Sequence, residues 1–238
     1  MEHLTELRAR LIKILIALGV GATIAFVSYS RILDFLIDPY CKTLPQGQAC
    51  NLFITDPLEG FATRLKVSGY AGVALAMPVI LWQLWRFVTP ALHSRERRLA
   101  IPFIVSTMLL FVLGGAIAML TFPQALRFLQ SVGGGDLQEI YSPAKYLGLV
   151  SLMIVAFGAA FEFPIILVFA QLIGVLEPGQ LSRFRRFAIV LIVIVAAVIT
   201  PSQDPVSLAA MAVPMYVFYE ISILLGRLVR RTSASRVD

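Results

Sequence analysis

Two stretches without a single charged residue, Ile101 to Phe122 and Leu147 to Phe161, limit what this chain can fold into more than any other feature. A hydrocarbon core of about 30 Å is crossed by about 20 helical residues, and these runs approach or reach that length. Neither run alternates apolar with polar residues, as the strands of a membrane barrel would over about 10 residues. They read as membrane-spanning helices. Hydrophobic residues make up 58% of the chain and charged residues 14%, against roughly 45–50% and about 25% in soluble domains. With a mean hydropathy of +0.84, the fold class is an all-α integral membrane protein.

The apolar runs predict six transmembrane helices in one membrane domain covering residues 1–238, with spans at about 11–27, 63–88, 101–122, 147–173, 187–200 and 206–225. The first follows basic residues, but no small-residue cleavage site succeeds it, so it reads as a retained span. About 35 residues separate it from the second span. Asp38-Pro39, Pro45-Gln-Gly47 and Asp56-Pro57 mark turns there, and the apolar patches Ile32 to Ile37 and Leu52 to Ile54 suit caps lying on the membrane surface. A second longer connection is expected after Pro123, through Gly133-Gly-Gly135. Pro78, Pro164 and Pro214 fall inside spans and predict kinks, hence a concave surface. The fifth span has about 14 residues, roughly 21 Å at helical rise. With the short Pro201-Ser-Gln-Asp-Pro205 connection, it predicts an antiparallel hairpin that thins the bilayer locally.

The net charge of +6 raises the question of nucleic acid, and the positions of the basic residues answer it. Fourteen of the 20 Lys and Arg, including Arg8, Arg86, Arg95, Arg97, Arg98, Arg183, Arg185, Arg186 and Arg227, lie in the two tails or in the second and fourth connections. By the excess of basic residues in cytoplasmic loops, both termini are expected in the cytoplasm. No nucleic-acid partner is needed. Cys41 and Cys50 then sit in the first outward loop, where an oxidising compartment permits a disulfide closing about ten residues. The other reading is two semi-buried thiols. No metal site is indicated, since the cysteines form no CxxC pair and the only histidines are His3 and His93.

Glu162 is the sharpest single signal, because an ionisable group near the middle of a span costs at least about 2.5 kcal/mol and usually faces a bundle interior or a wet cavity. It is a functional candidate; the alternative is a carboxyl hydrogen-bonded to a neighbouring helix. His3-Leu-Thr-Glu-Leu-Arg-Ala-Arg-Leu11 is an amphipathic lead-in to the first span, in which Glu6 can pair with Arg10 at i,i+4. Glu6 and Glu96 are cytoplasmic carboxylates near helix ends, a chemistry that can hold guanidinium groups bidentately. Asp204-Pro205 reads first as a turn former. HExxH, P-loop and Gly-x-Ser-x-Gly patterns do not occur, which leaves a protease or metal enzyme poorly supported.

Four ordered stretches resemble the TatC family across essentially the whole chain. They are His3 to Leu11, Pro78-Val-Ile-Leu-Trp-Gln-Leu-Trp-Arg-Phe-Val-Thr-Pro-Ala-Leu92 running into Arg95-Glu-Arg-Arg98, Phe157-Gly-Ala-Ala-Phe-Glu-Phe-Pro164, and Thr200-Pro through Val213-Pro-Met215 with Tyr219-Glu220. The resemblance implies a receptor in the bacterial cytoplasmic membrane that binds twin-arginine signal peptides of folded cargo. It further implies that the receptor nucleates a translocation site with TatA-like and TatB-like single-span partners, as a homo-oligomer within the complex and driven by the proton-motive force. Catalysis and a cofactor are not implied.

The resemblance assigns signal-peptide binding to Glu6, Arg8, Phe87 and Glu96, an intramembrane polar contact to Glu162, and outward-side structural or partner roles to Pro39 and Asp204. The chain departs from the family where the usual Pro-Pro-Asp reads Pro-Ser-Gln-Asp, one residue longer, and Ser207-Leu208 stands where Ser-Gln commonly follows. The competing reading is an ion-coupled secondary transporter of a small solute using Glu162. Two related halves with paired broken helices would favour that reading, but the sequence shows no convincing repeat.

Overall fold

Glycine sets how closely the long helices approach one another. The computed structural model describes residues 2–42, 50, 52–54, 56–88, 100–133, 141–172 and 174–234. Among them the order is α1 (Glu2–Val27), α2 (Tyr29–Cys41), α3 (Glu59–Val88), α4 (Ala100–Gly133), α5 (Pro143–Ala160), α6 (Phe163–Leu172), α7 (Pro178–Arg183), α8 (Arg185–Ile199) and α9 (Pro205–Ala234), with no strand. A Cβ placed on Gly72 of α3 would lie 2.7 Å from the backbone of Ala22 on α1, and one on Gly21 would lie 2.7 Å from the Gly72 carbonyl. Small residues let helices pack backbone to backbone where lipid offers no hydrophobic driving force. The same device joins α4 to α5, where a Cβ on Gly114 would stand 2.6 Å from the Phe157 carbonyl.

α5 is the centre of the bundle, packed against both α3 and α4. Its Leu147, Met153 and Phe157 are fully buried, with Phe122 of α4 and Met211, Met215 and Ile223 of α9 completing the core. Outside that core the large apolar residues face outward, among them Ile16, Val20 and Ile24 on α1 and Val112 and Leu120 on α4. So extensive an apolar surface marks a face that contacts membrane or partner protein. Among the described residues, five helical stretches are long and apolar enough to cross a bilayer: Thr5–Val27, Glu59–Arg86, Ile101–Val132, Pro143–Gln171 and Pro205–Arg227. α8, at 15 residues, measures about 22 Å and falls short of a full crossing.

Pro164 breaks the fourth apolar run as expected. α5 ends at Ala160 and α6 begins at Phe163, with Phe161 and Glu162 in the turn between. Proline has no N–H to give the carbonyl four residues back, and its ring crowds that carbonyl. Pro123 behaves otherwise. Instead of ending at Phe122, α4 runs through Pro123 to Gly133, and the Thr121 hydroxyl donates to the Ile117 carbonyl at 2.8 Å beside the interruption. α9 likewise continues past Leu225, to Ala234.

The long first connection contains α2, a 13-residue helix that keeps Pro39 inside it. Leu36, Pro39 and Tyr40 are buried, and Tyr40 packs edge-on against Tyr141 at 5.7 Å between ring centroids. The Tyr146 hydroxyl donates to the Leu36 carbonyl at 3.0 Å, tying α2 to α5. Cys41 and Cys50 are joined in a disulfide with their Cα atoms 5.4 Å apart. At the start of this cap the Arg64 guanidinium of α3 donates to the Phe26 carbonyl at 2.8 Å and stacks over the Phe26 ring. Burial raises the Tyr29 phenol above its ordinary value, with the Arg64 charge opposing.

Candidate functional site

Glu6 takes the i,i+4 partner expected from its spacing, and that partner is held in turn by a distant carbonyl. In α1 it pairs with Arg10 one turn on, and Arg10 is itself buried, 8% exposed, because its Nη1 also donates to the Gln83 carbonyl of α3 at 3.1 Å. Glu6 remains 44% exposed. An arginine bound on two sides costs little further entropy when it holds a carboxylate. Arg8 lies exposed on α1. Phe87 is in the last turn of α3, its side chain outside the described residues, and Glu96 lies outside them altogether.

The residues that follow Gln83 on α3 belong to a different environment. Leu84 and Trp85 line a cavity of about 410 Å³ shared with Met77, Phe103, Glu162 and Phe169. Trp85 stacks with Phe103 of α4 at 4.3 Å and meets Phe169 of α6 edge-on at 5.4 Å. Glu162 is 7% exposed, and its Oε1 has no hydrogen-bond partner among the described residues. The break at Pro164 is what turns this carboxyl into the cavity wall, because Glu162 lies in the non-helical turn between α5 and α6. The charged threshold of Glu6 and Arg10 is thus anchored on α3 one residue before Leu84, which lines the apolar chamber that holds Glu162.

The remaining candidates lie elsewhere. Pro39 is buried in α2. Asp204 is 1% exposed and caps α9: its Oδ1 accepts the Ser207 N–H at 2.7 Å and its Oδ2 accepts the Ser202 hydroxyl at 2.5 Å. An aspartate just before a helix satisfies one of the orphan donors of the first turn. Among the described residues no group of three or more His, Cys, Asp or Glu is placed to hold a metal ion.

Two buried polar residues escaped the sequence reading. Glu59, at the head of α3, accepts the Ser142 hydroxyl and the Ala144 N–H, and so fastens the start of α5. Gln171 of α6 donates to the Ser222 carbonyl of α9 at 3.1 Å, opposite Gly226, where a Cβ would lie 1.9 Å from its amide oxygen. The glycine was the available sign of that close approach.

Comparison with known proteins matches this arrangement along nearly its full length. A family profile described as Sec-independent protein translocase protein (TatC) matches residues 2–214. The Sec-independent protein translocase protein TatC of Aquifex aeolicus is 41% identical over 233 residues, which cover 97% of this chain and 95% of that one. That of Frankia casuarinae is 37% identical over 246 residues, covering 100% and 68%. A crystal structure of the twin-arginine translocase receptor TatC in DDM superposes with a TM-score of 0.79 at 40% identity, covering 94% of this chain and 99% of that one. The chain belongs to the TatC family of Sec-independent protein translocase proteins, as a multi-pass protein of the bacterial cytoplasmic membrane.

Proposed function

We propose that this chain is the receptor subunit of a twin-arginine translocase, binding the signal peptide of a folded protein and nucleating a translocation site with TatA-type and TatB-type single-span partners. The observation that carries the reading is the adjacency on α3 of Gln83, which anchors the Arg10–Glu6 pair, and Leu84 and Trp85, which line the apolar cavity. A peptide in which two arginines precede an apolar segment has the same order of chemistry. Glu6 and Glu96 accept the guanidinium groups in charge-assisted hydrogen bonds, and Arg8 and Phe87 contribute to the same recognition. The apolar segment follows into the chamber where Glu162 contacts it or a partner helix.

In this reading both termini are cytoplasmic and α8 serves as a short fifth span of six. Pro39 and Asp204 keep the outward side in shape, several copies assemble, and the proton-motive force supplies the energy. The work is recognition and assembly, so no bond in the cargo is made or broken. Family membership supports the receptor over the solute transporter. The test is export of a twin-arginine reporter from cells lacking the native receptor. Export that requires both this chain and the single-span partners supports the proposal, whereas solute uptake into liposomes holding this chain alone would replace it.

A further inference from the structure

We propose that the groove between α2, α3 and α5 binds one anionic phospholipid, its acyl chain lying in the groove and its phosphate held by Arg31 and Lys66. The groove encloses about 240 Å³ and is walled by Ile32, Phe35, Val67, Tyr70, Ser151 and Val155, among others. Its one buried polar group is unmatched: Ser151 is 5% exposed, and its hydroxyl has no hydrogen-bond partner among the described residues. A hydroxyl withdrawn from water into apolar surroundings is costly unless something in the site bonds to it.

Polarity along the groove follows a fixed order. The Lys66 ammonium stands over Gly148, where a Cβ would lie 2.8 Å from Nζ. Ser151 comes about 4.5 Å further along α5 and Val155 about 6 Å beyond that, at helical rise. Arg31 is four residues before Phe35 on α2, so both lie on the side of that helix that meets the groove. The sequence is cation, then hydroxyl, then hydrocarbon, which is the order of phosphate, glycerol ester and acyl chain in a phospholipid. Neither Arg31 nor Lys66 is in an ion pair among the described residues. Asp38 on the same helix is taken by Lys42, and the exposed Asp34 leaves the rim net positive. α2 contributes only Arg31 as a cation and α3 contributes Lys66, and a cation beside an apolar groove at the acyl–headgroup boundary can meet a lipid phosphate. This site is separate from the Glu6 threshold and does not depend on the receptor reading.

The test uses full-length protein in phosphatidylcholine vesicles doped with phosphatidylglycerol carrying a photoactivatable acyl chain, or with phosphatidylcholine carrying the same chain. The expected result is preferential labelling by phosphatidylglycerol of the peptides containing Tyr70 and Val155. Lys66→Gln and Arg31→Gln should each lower that labelling about fivefold and leave the phosphatidylcholine signal unchanged. Ala71→Trp, which fills the groove, should abolish it, while labelling of the exposed face of α1 shows that the variant is folded and inserted. Equal labelling by the two lipids, or phosphatidylglycerol labelling untouched by the double Gln variant, would overturn the proposal. So would a groove left unlabelled while α1 is labelled, as a peptide occupant would leave it.

Discussion

Arg10 reaches from α1 to the backbone of α3, donating to the Gln83 carbonyl at 3.1 Å while its second amino group holds Glu6. The geometry fixes the direction in which the Glu6 carboxylate faces by tying it, through Arg10, to the backbone of α3. Hydrogen bonds to charged groups contribute about 1.5–3 kcal/mol. Arg10→Ala is therefore expected to weaken binding of a twin-arginine peptide by roughly tenfold or more. Arg10→Lys, which keeps the charge but cannot bond both partners in one plane, should recover only part of it. Titration of a fluorescent peptide against purified protein measures both, and unchanged affinity for Arg10→Ala would show that Glu6 needs no such support.

Glu162 should trade stability against transport. A buried polar atom without a partner costs about 1–3 kcal/mol, so Glu162→Leu is expected to raise the thermal midpoint in detergent. The same change should lower export of a twin-arginine reporter. A variant that is both more stable and fully active would remove Glu162 from the path of the signal peptide.

The α1–α3 crossing should tolerate no side chain at Gly72. Overpacking costs about 1–3 kcal/mol, and the contact here is with backbone, which cannot swing aside. Gly72→Val should therefore destabilise the protein, whereas Gly69→Ala, with open space around it, should be neutral or stabilising through helix propensity. Thermal unfolding of the pair reads the difference in sign, and equal midpoints would refute the backbone contact.

How much of this was legible in the sequence depended on the range of the interaction. Span length and the break at Pro164 are local properties, set by apolar runs and by a missing N–H, and both were readable. The continuation of α4 through Pro123 was not, because a helix in a packed bundle tolerates the lost bond where nearby hydroxyls and neighbours take up the freed groups. The Glu6–Arg10 pair followed from i,i+4 spacing, but the burial of Arg10 depends on a carbonyl 73 residues away. Glu59, Gln171 and the Gly72 crossing are likewise contacts between distant helices, and apolar periodicity carries no record of which helix lies next to which. Asp204 was readable as a turn residue, and the structure adds that it is a buried cap.

Asp204→Ala should release the first turn of α9. Losing an N-cap costs about 0.5–2 kcal/mol, and the upper part of that range is expected because the Ser202 hydroxyl loses its acceptor as well. Hydrogen exchange at the Ser207 amide should accelerate. Peptide affinity at Glu6 should not change, since that site lies at the other end of the bundle. Unchanged protection at Ser207 would contradict the capping role.

Glu6 and Glu96 are expected to read the arginine pair of the signal peptide. That recognition is tested most directly by site-specific crosslinking of a twin-arginine signal peptide, and of its twin-lysine variant, to positions flanking Glu6 and Glu96 in wild-type, Glu6→Ala and Glu96→Ala proteins. Strong crosslinks are expected to the wild type with the arginine peptide only, with their loss in either variant, because a lysine ammonium cannot make the paired hydrogen bonds of a guanidinium. Crosslinks of equal strength in both variants, still rejecting the twin-lysine peptide, would place the recognition elsewhere on the molecule.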